Sequence, residues 1–207
     1  MTTSPDYPSL ASRILEEHWG FTARLTRLSG ENLNFRVDAD GLPPRVFKLT
    51  TTEGADVELE EAILAHLDEA GVVVPASIPS PRGEVAVDVE IAGHRAVARL
   101  QAFVDGAQWR DAATTSDLLF EIGAYLAQLH QSLASFDHPG AHRTHLWDLT
   151  QANRHTHAIE LIDSPDRRRS IEACFHLYRA HGLSVLPRCP QGMLHGDAND
   201  ENILIEN

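Results

Sequence analysis

The sequence predicts an α+β protein in two parts, a five-stranded antiparallel sheet with one helix followed by a mainly helical half. Up to about residue 100, short segments of strand-like composition are separated by glycine, proline and aspartate, as in strands joined by turns. After Asp111, apolar residues recur at steps of three and four, the spacing of a buried helix face. Between these parts, strand character falls over 101–106. We therefore expect one lobe over 1–104 and a second over 105–207.

Composition narrows the class of protein. The net charge of −13 on 207 residues argues against a nucleic-acid partner or an anionic membrane. No apolar run is long enough to span a membrane, and the first residues lack the basic flank and apolar core of a signal peptide. The 2 cysteines form no CxxC pair, which favours reduced thiols. We expect a cytoplasmic protein.

The sheet half is predicted element by element. An amphipathic segment over 10–18, ended by Gly20, indicates a first helix. A second helix is expected from about 56 to 70, ended by Gly71. The strand-like segments cover 23–28, 33–37, 45–49, 83–91 and 94–100. The first bend contains a single glycine, which also fits an ordinary hairpin turn.

Lys48 and Glu60 stand out because each lies among apolar neighbours. Lys48 lies inside the third strand, where a lysine needs a partner or an edge position. At about 100° per residue, Glu60 falls on the inward stripe of the second helix, while Glu58, Glu61 and Glu69 point elsewhere. We expect an ion pair between Lys48 and Glu60; the alternative is a glutamate at the helix rim that faces water.

The second half is predicted to be helical. A further helix is expected to open at Trp147. The apolar stripe of the long helix after residue 111 comprises Leu118, Ile122, Leu126, Leu129 and Leu133. A later helix carries the stripe Ile171, Cys174, Phe175 and Tyr178.

The most specific motif lies near the C-terminus. His195-Gly196-Asp197 is followed by four residues, Asn202 and an apolar run. This spacing is typical of the catalytic loop of eukaryotic-type kinases, in which the Asp orients and deprotonates a hydroxyl and the Asn binds magnesium. On these residues the chain resembles the aminoglycoside phosphotransferase and choline kinase-like family. Within it, the chain is most similar to hydroxylysine kinase-like proteins and to kinase modules fused to class-III aminotransferases.

The resemblance implies a protein kinase-like two-lobe fold and a function. The implied reaction is transfer of the ATP γ-phosphoryl group to a hydroxyl of a small amine or amino acid. By resemblance, Asp197 is the catalytic residue, Asn202 holds Mg²⁺, and Lys48, fixed by Glu60, grips the α- and β-phosphates.

The resemblance also assigns the remaining nucleotide contacts. Gly30, Glu31 and Asn32 occupy the bend that covers the ATP phosphates in kinases. Backbone groups near Gln101 and Phe103 occupy the hinge that binds adenine. From the residues alone, this hinge is equally a plain linker.

One expected part of the family pattern is absent from the sequence. The family places a second metal-binding Asp on a later strand, and Asn207 ends the chain before that point. We therefore expect an N-terminal portion of a longer protein, truncated after the catalytic loop or fused to further domains, and little activity alone. The alternative function is a non-catalytic nucleotide-binding or regulatory module.

Overall fold

A computed structural model describes residues 6–30, 32–51, 57–142 and 147–206. Its first half is a five-stranded antiparallel sheet with strand order β1-β2-β3-β5-β4. The strands are β1 (Arg24–Arg27), β2 (Leu33–Asp38), β3 (Arg45–Thr51), β4 (Val87–Ile91) and β5 (His94–Ala102). Two helices accompany them, α1 (Tyr7–Trp19) and α2 (Val57–Glu69). The predicted sheet is confirmed.

One face of the sheet is apolar and packs against α1. Asp6 caps the start of α1 by accepting from the backbone N–H of Ser9, and Gly20 ends it in a left-handed conformation. Trp19 packs edge-on against Phe47 at 5.6 Å between ring centroids. The main core comprises residues of α1 with Phe35, Val37, Phe47, Leu49, Ala98 and Leu100 of the strands. Because side chains alternate along a strand, residues 34, 48, 99 and 101 point to the opposite face.

The second core joins α2 to the helical half. Leu67 in the last turn of α2 and Val72 shortly after the helix pack with Leu129 and Leu133. Two polar contacts support this packing: His66 Nε2 donates to the Ser132 carbonyl at 2.9 Å, and the Tyr125 hydroxyl donates to the Val73 carbonyl at 2.8 Å. The helix α2 is therefore covered on two sides, by the sheet and by the helical half.

The helical half contains two long helices and several tighter turns. Two short strands also belong to it, and they pair with each other. The bounds are β6 (Ala107–Gln108), α3 (Ser116–Ser132), α4 (Pro165–Leu177) and β7 (Leu204–Ile205). The helix expected at Trp147 is instead a run of 3-10 turns over Leu149–Leu161. The helix α4 is present, but Ile171 and Cys174 on its apolar stripe are exposed.

Among the described residues, no helix is both long and apolar enough to cross a membrane.

Candidate functional site

Lys48 lies on the sheet face opposite α1, and α2 brings Glu60 over it. The distance from Lys48 Nζ to Glu60 Oε1 is 3.3 Å. The strand β3 has neighbours on both sides, β2 and β5, so Lys48 is not an edge lysine. The predicted contact between the two side chains is present.

Arg99 completes this ion pair, and the sequence analysis did not single it out. It lies directly opposite Lys48 in the register of β3 and β5, and its side chain is only 1% exposed. Its Nη1 lies 2.8 Å from Glu60 Oε2 and 3.0 Å from Glu61 Oε1, and its Nη2 lies 3.4 Å from Thr50 Oγ1. Its position between Ala98 and Leu100 could have identified it, because a charged residue among apolar neighbours needs a partner, as was argued for Lys48.

The prediction that Glu61 points away from the site is wrong. Its side chain is 7% exposed, and its second carboxylate oxygen accepts a hydrogen bond from the Ser77 hydroxyl. The single inward stripe inferred for α2 did not allow for burial of this helix on two sides. A buried carboxylate requires a cation and further donors, and here Arg99 and Ser77 supply them.

The charges of this cluster determine the protonation of Glu60. Partial burial by itself raises the pKa of the Glu60 carboxyl, but the charges of Lys48 and Arg99 outweigh it, with a hydrogen bond from each. The net effect holds this pKa below its ordinary value. Glu60 is thus an anion wherever the protein is folded near neutral pH.

The same sheet face holds buried polar atoms with spare hydrogen-bonding capacity. Asn34 lies opposite Lys48 in the sheet, and Gln101 lies two residues beyond Arg99 and is 3% exposed. Among the described residues, Asn34 Oδ1, Gln101 Nε2 and Arg99 Nε have no hydrogen-bond partner. Since buried polar atoms are normally paired, these three atoms leave hydrogen-bonding capacity on this face unused.

The first bend is fastened to its own strands. Arg27 donates to the carbonyl oxygens of Asn32 and Asn34, at 2.8 Å each. Gly30 has φ +123°, and a Cβ there would lie 3.1 Å from Asn34 Nδ2, so glycine is required. Asn32 is thereby placed beside the strands, whereas Glu31 lies outside the described residues.

At the predicted hinge, some backbone groups are already engaged. The Ala102 N–H donates to the Ala76 carbonyl at 2.8 Å, and the Phe103 N–H donates to the Pro44 carbonyl at 3.3 Å. The Phe103 ring lies under the Arg36 guanidinium, 4.4 Å from its centroid. A nucleotide base would reach the Phe103 N–H only by replacing the long contact to Pro44.

The loop after residue 194 presents Asp197 in a fixed orientation. Asp197 Oδ1 accepts from Asn199 Nδ2 at 2.9 Å, and Oδ2 accepts from Asn202 Nδ2 at 2.7 Å. Asn199 Oδ1 in turn accepts from the backbone N–H groups of Glu201 and Asn202. Asn199 was missed by the sequence analysis, although an asparagine side chain commonly accepts from the backbone N–H two residues on and so shapes such turns.

Two histidine side chains accept hydrogen bonds from the backbone of this loop. The His195 backbone N–H donates to His130 Nε2 at 3.2 Å, and the Asp197 N–H donates to His195 Nδ1 at 3.3 Å. Met193, two residues before His195, packs against the second core. The loop is thereby tied both to α3 and to the packing around α2.

The segment after the hinge holds the other end of the loop. The Trp109 N–H donates to the Ile203 carbonyl at 2.9 Å, and Arg110 forms an ion pair with Glu201 at 2.6 Å. Gly106 allows this approach: a Cβ there would lie 3.0 Å from the Ile205 carbonyl oxygen. Asn202 therefore lies in space beside the segment that follows the hinge.

A ready-made metal centre is not evident in the described part of the chain. There, no group of three or more His, Cys, Asp or Glu side chains is arranged to hold a metal ion. With its Nδ2 directed to Asp197, the Asn202 amide turns its oxygen to the other side. A neutral oxygen of this kind is a suitable but weak ligand for Mg²⁺.

The sequence resembles known phosphotransferases. The family model "Phosphotransferase enzyme family" matches residues 24–207. The hydroxylysine kinase of Mus musculus is 24% identical over 218 residues, which cover 95% of this chain and 58% of that protein. The hydroxylysine kinase of Bos taurus is 26% identical over 226 residues, which cover 98% and 60%. The chain thus spans about 60% of the length of these relatives.

Solved structures show the same fold. A spectinomycin phosphotransferase in complex with ADP and spectinomycin matches with a TM-score of 0.64 and 14% identity, over 100% of this chain and 67% of that one. A microcompartment-associated aminopropanol kinase matches with a TM-score of 0.55 and 23% identity, over 69% of this chain and 46% of that one. With the family model covering 24–207, the chain belongs to the phosphotransferase enzyme family, in its aminoglycoside phosphotransferase and choline kinase-like group, and has a protein kinase-like α+β fold.

Proposed function

We propose that this chain carries the nucleotide-binding and phosphoryl-transfer residues of an ATP-dependent small-molecule kinase. The observation that carries the proposal is the Asp197 carboxylate, held by the side chains of Asn199 and Asn202. In a phosphoryl transfer, the acceptor hydroxyl has a proton that such a carboxylate can accept, whereas ATP offers none. The order of a strand lysine, a helix glutamate and this loop in a phosphotransferase family supports the same reaction.

The sheet face beside Lys48 fits a nucleotide. Lys48 Nζ supplies a positive charge for phosphate oxygens, and its tie to Glu60 fixes its direction. The unpaired Asn34 Oδ1 and Gln101 Nε2 offer an acceptor and a donor on that face. We propose that Gly30, Glu31 and Asn32 cover the phosphates and that backbone groups near Gln101 and Phe103 meet the adenine ring.

The divalent cation, which we propose to be Mg²⁺, would bind the Asn202 side-chain oxygen together with phosphate oxygens. When bound, it neutralises charge that develops on the transferred phosphoryl group. Asn202 also donates to Asp197 at 2.7 Å, so a hydrogen bond joins the proposed metal ligand to the proposed catalytic carboxylate.

Asp197 acts on the acceptor. As the hydroxyl oxygen forms its bond to the γ-phosphorus and the bond to the departing ADP oxygen breaks, the hydroxyl proton passes to the Asp197 carboxylate. The two amide donors keep that carboxylate from turning away from the acceptor. The acceptor class that we propose, a small hydroxylated amine or amino acid, follows the names of the hydroxylysine and aminopropanol kinases.

The proposal also covers the division of the chain into lobes and the compartment in which the protein works. We propose a nucleotide-binding lobe over 1–104 and a catalytic-loop lobe over 105–207, within a longer protein. Cys174 and Cys189 are exposed free thiols, which supports a reducing compartment such as the cytoplasm.

The test is calorimetric titration of Mg-ATP into the chain, followed by ATP-consumption assays with hydroxylysine and 1-amino-2-propanol. The assays use this chain and any longer protein that contains it. We expect binding that Lys48→Met weakens and that the control Arg13→Met, at an exposed arginine of α1, leaves unchanged, together with turnover in the complete protein. Binding without turnover in either form would favour the non-catalytic module, and absence of binding would contradict the proposal.

A further inference from the structure

From the geometry around Arg99, we infer that this arginine is a positioning residue that holds α2 to the sheet whether or not nucleotide is bound. With Glu60 held in this way, Lys48 can bind a phosphate while it stays tied to Glu60, and α2 does not depend on the lysine alone for its position. The inference rests on the proposed function, because it concerns the lysine that would bind the nucleotide.

The Glu60 carboxylate is shared between two cations. Its Oε1 faces Lys48 at 3.3 Å and its Oε2 faces Arg99 at 2.8 Å. The same Arg99 nitrogen reaches Glu61 at 3.0 Å. Two consecutive glutamates of α2 are therefore bound to one side chain of β5.

Burial makes the arginine contacts more persistent than the lysine contact. The Arg99 side chain is 1% exposed, whereas the Lys48 side chain is 22% exposed and the Glu60 side chain 44%. Solvent screens the Lys48–Glu60 pair more strongly than the Arg99–Glu61 pair. Ser77 and Thr50 hold Glu61 and Arg99 from their other sides.

The charges of the cluster explain why α2 does not depend on Lys48 alone. The cluster contains two cations, Lys48 and Arg99, and two carboxylates, Glu60 and Glu61. Lys48 has three N–H donors, so it can bind a phosphate oxygen while it keeps Glu60. Arg99 faces both carboxylates throughout, and its two Nη1 hydrogens can serve one each. In a pair with only one lysine and one glutamate, the ligand that takes the lysine also loosens the helix.

The first experiment is hydrogen–deuterium exchange on the unaltered chain, with and without Mg-ATP. We expect α2 amides over Val57–Glu69 to be protected in the absence of nucleotide and to change less than about twofold in rate when it is added. Fast exchange of α2 that slows strongly upon addition of nucleotide would overturn the inference without any variant.

The second experiment compares Arg99→Met with Arg95→Met, an exposed arginine on the same strand. In Arg99→Met we expect α2 exchange to rise by about tenfold or more and to become dependent on nucleotide, and ATP affinity to fall several-fold. In Arg95→Met we expect α2 exchange as in the unaltered chain. If Arg99→Met does not fold, Arg99→Met/Glu61→Gln removes both buried charges and is scored in its place.

The outcomes separate this inference from the proposed function. Protected α2 amides in a folded Arg99 variant, equal to those of the unaltered chain, would overturn the role of Arg99 even if ATP binds. Failure of the unaltered chain to bind ATP would contradict the proposed function, while the exchange difference between Arg99→Met and Arg95→Met would still decide whether Arg99 holds α2.

Discussion

Both oxygens of the Asp197 carboxylate accept hydrogen bonds from neutral amides, one from Asn199 and one from Asn202. This arrangement fixes the direction of the carboxylate but leaves it without a neighbouring cation in the described loop. Each carboxylate oxygen has a further lone pair with which it can accept the proton of an incoming hydroxyl.

The first prediction concerns this carboxylate. In the complete protein, Asp197→Asn should lower kcat by about 10²–10⁴-fold, the usual contribution of a general base, and change ATP affinity by no more than a few-fold. Steady-state kinetics with an active hydroxylated amine measures both. The control is Asp200→Asn, an exposed aspartate in the same loop, and unchanged turnover in Asp197→Asn would remove its catalytic role.

The second prediction concerns pH and Glu60, whose pKa is lowered in the folded protein from the ordinary 4.5. Between the lowered value and 4.5, the unfolded chain binds more protons than the folded chain. The free energy of unfolding contributed by Glu60 is therefore fully present above this window and is lost as pH falls through it.

Urea unfolding at a series of acidic pH values measures this contribution. Glu60→Gln should flatten the acid-side fall in stability relative to Glu58→Gln, an exposed glutamate of the same helix. The change should be small, because solvent screens a side chain that is 44% exposed. Identical slopes in the two variants would show that the ion pair with Lys48 and Arg99 does not stabilise the fold.

The residues of the site were partly predictable. Lys48 and Glu60 were found because a charged residue among apolar neighbours needs a partner, and Asp197 and Asn202 because their spacing is specific. Arg99 satisfies the same criterion as Lys48. That the two residues lie opposite each other depends on the order of the strands in the sheet, which cannot be read from the sequence. The roles of these residues stay predictions.

At the level of elements, the pairing of β6 with β7 joins residues that are far apart in sequence. Gly106 precedes β6 with φ +147°, and a Cβ there would lie 3.0 Å from a backbone oxygen and 3.2 Å from Leu204 Cβ. Backbone atoms cannot easily yield, so this glycine is needed both for its conformation and for the close approach.

The third prediction compares two glycines. Gly106→Ala should lower the free energy of unfolding by about 1–3 kcal/mol, because the residue is strained and the contact must open. Gly123→Ala, in the middle of α3 where a Cβ would meet nothing within 4 Å, should raise it by about 0.5–1 kcal/mol. Urea denaturation of the two variants and the parent chain measures the free energies of unfolding. A change in the same direction in both variants would contradict the special requirement for glycine at position 106.

The elements themselves were predicted to within a few residues where a simple period applies. The five strands follow their alternation and turn residues, and α1, α2 and α3 follow their apolar spacing. The two-residue strands β6 and β7 have no period to detect. The run of 3-10 turns over Leu149–Leu161 was predicted as a helix because its opening residues resemble a helix start.

At the level of the whole molecule, large apolar side chains are unevenly exposed. Most of those that remain exposed belong to the helical half, including Phe120 at 77% and Leu161 at 80%. Exposed apolar area of this kind favours association between molecules, whereas the net charge of −13 opposes it.

The fourth prediction follows from this surface. Phe120→Gln and Leu161→Gln should each reduce self-association without lowering the melting temperature, because neither side chain is buried. Light scattering over a concentration series measures the association, and thermal unfolding measures the stability. As a control, Leu129→Gln changes a buried residue of the second core and should lower the melting temperature markedly.

The double coverage of α2 has a consequence for folding. Its first turns are anchored to the sheet through Glu60 and Glu61, and its last turn packs with Leu129 and Leu133 of the helical half. Thermal unfolding of either half must therefore remove the packing on one side of α2. The chain should lose both halves in a single calorimetric transition, and the sheet prepared without the helical half should leave Leu67 and Val72 in water and α2 frayed at its C-terminal end.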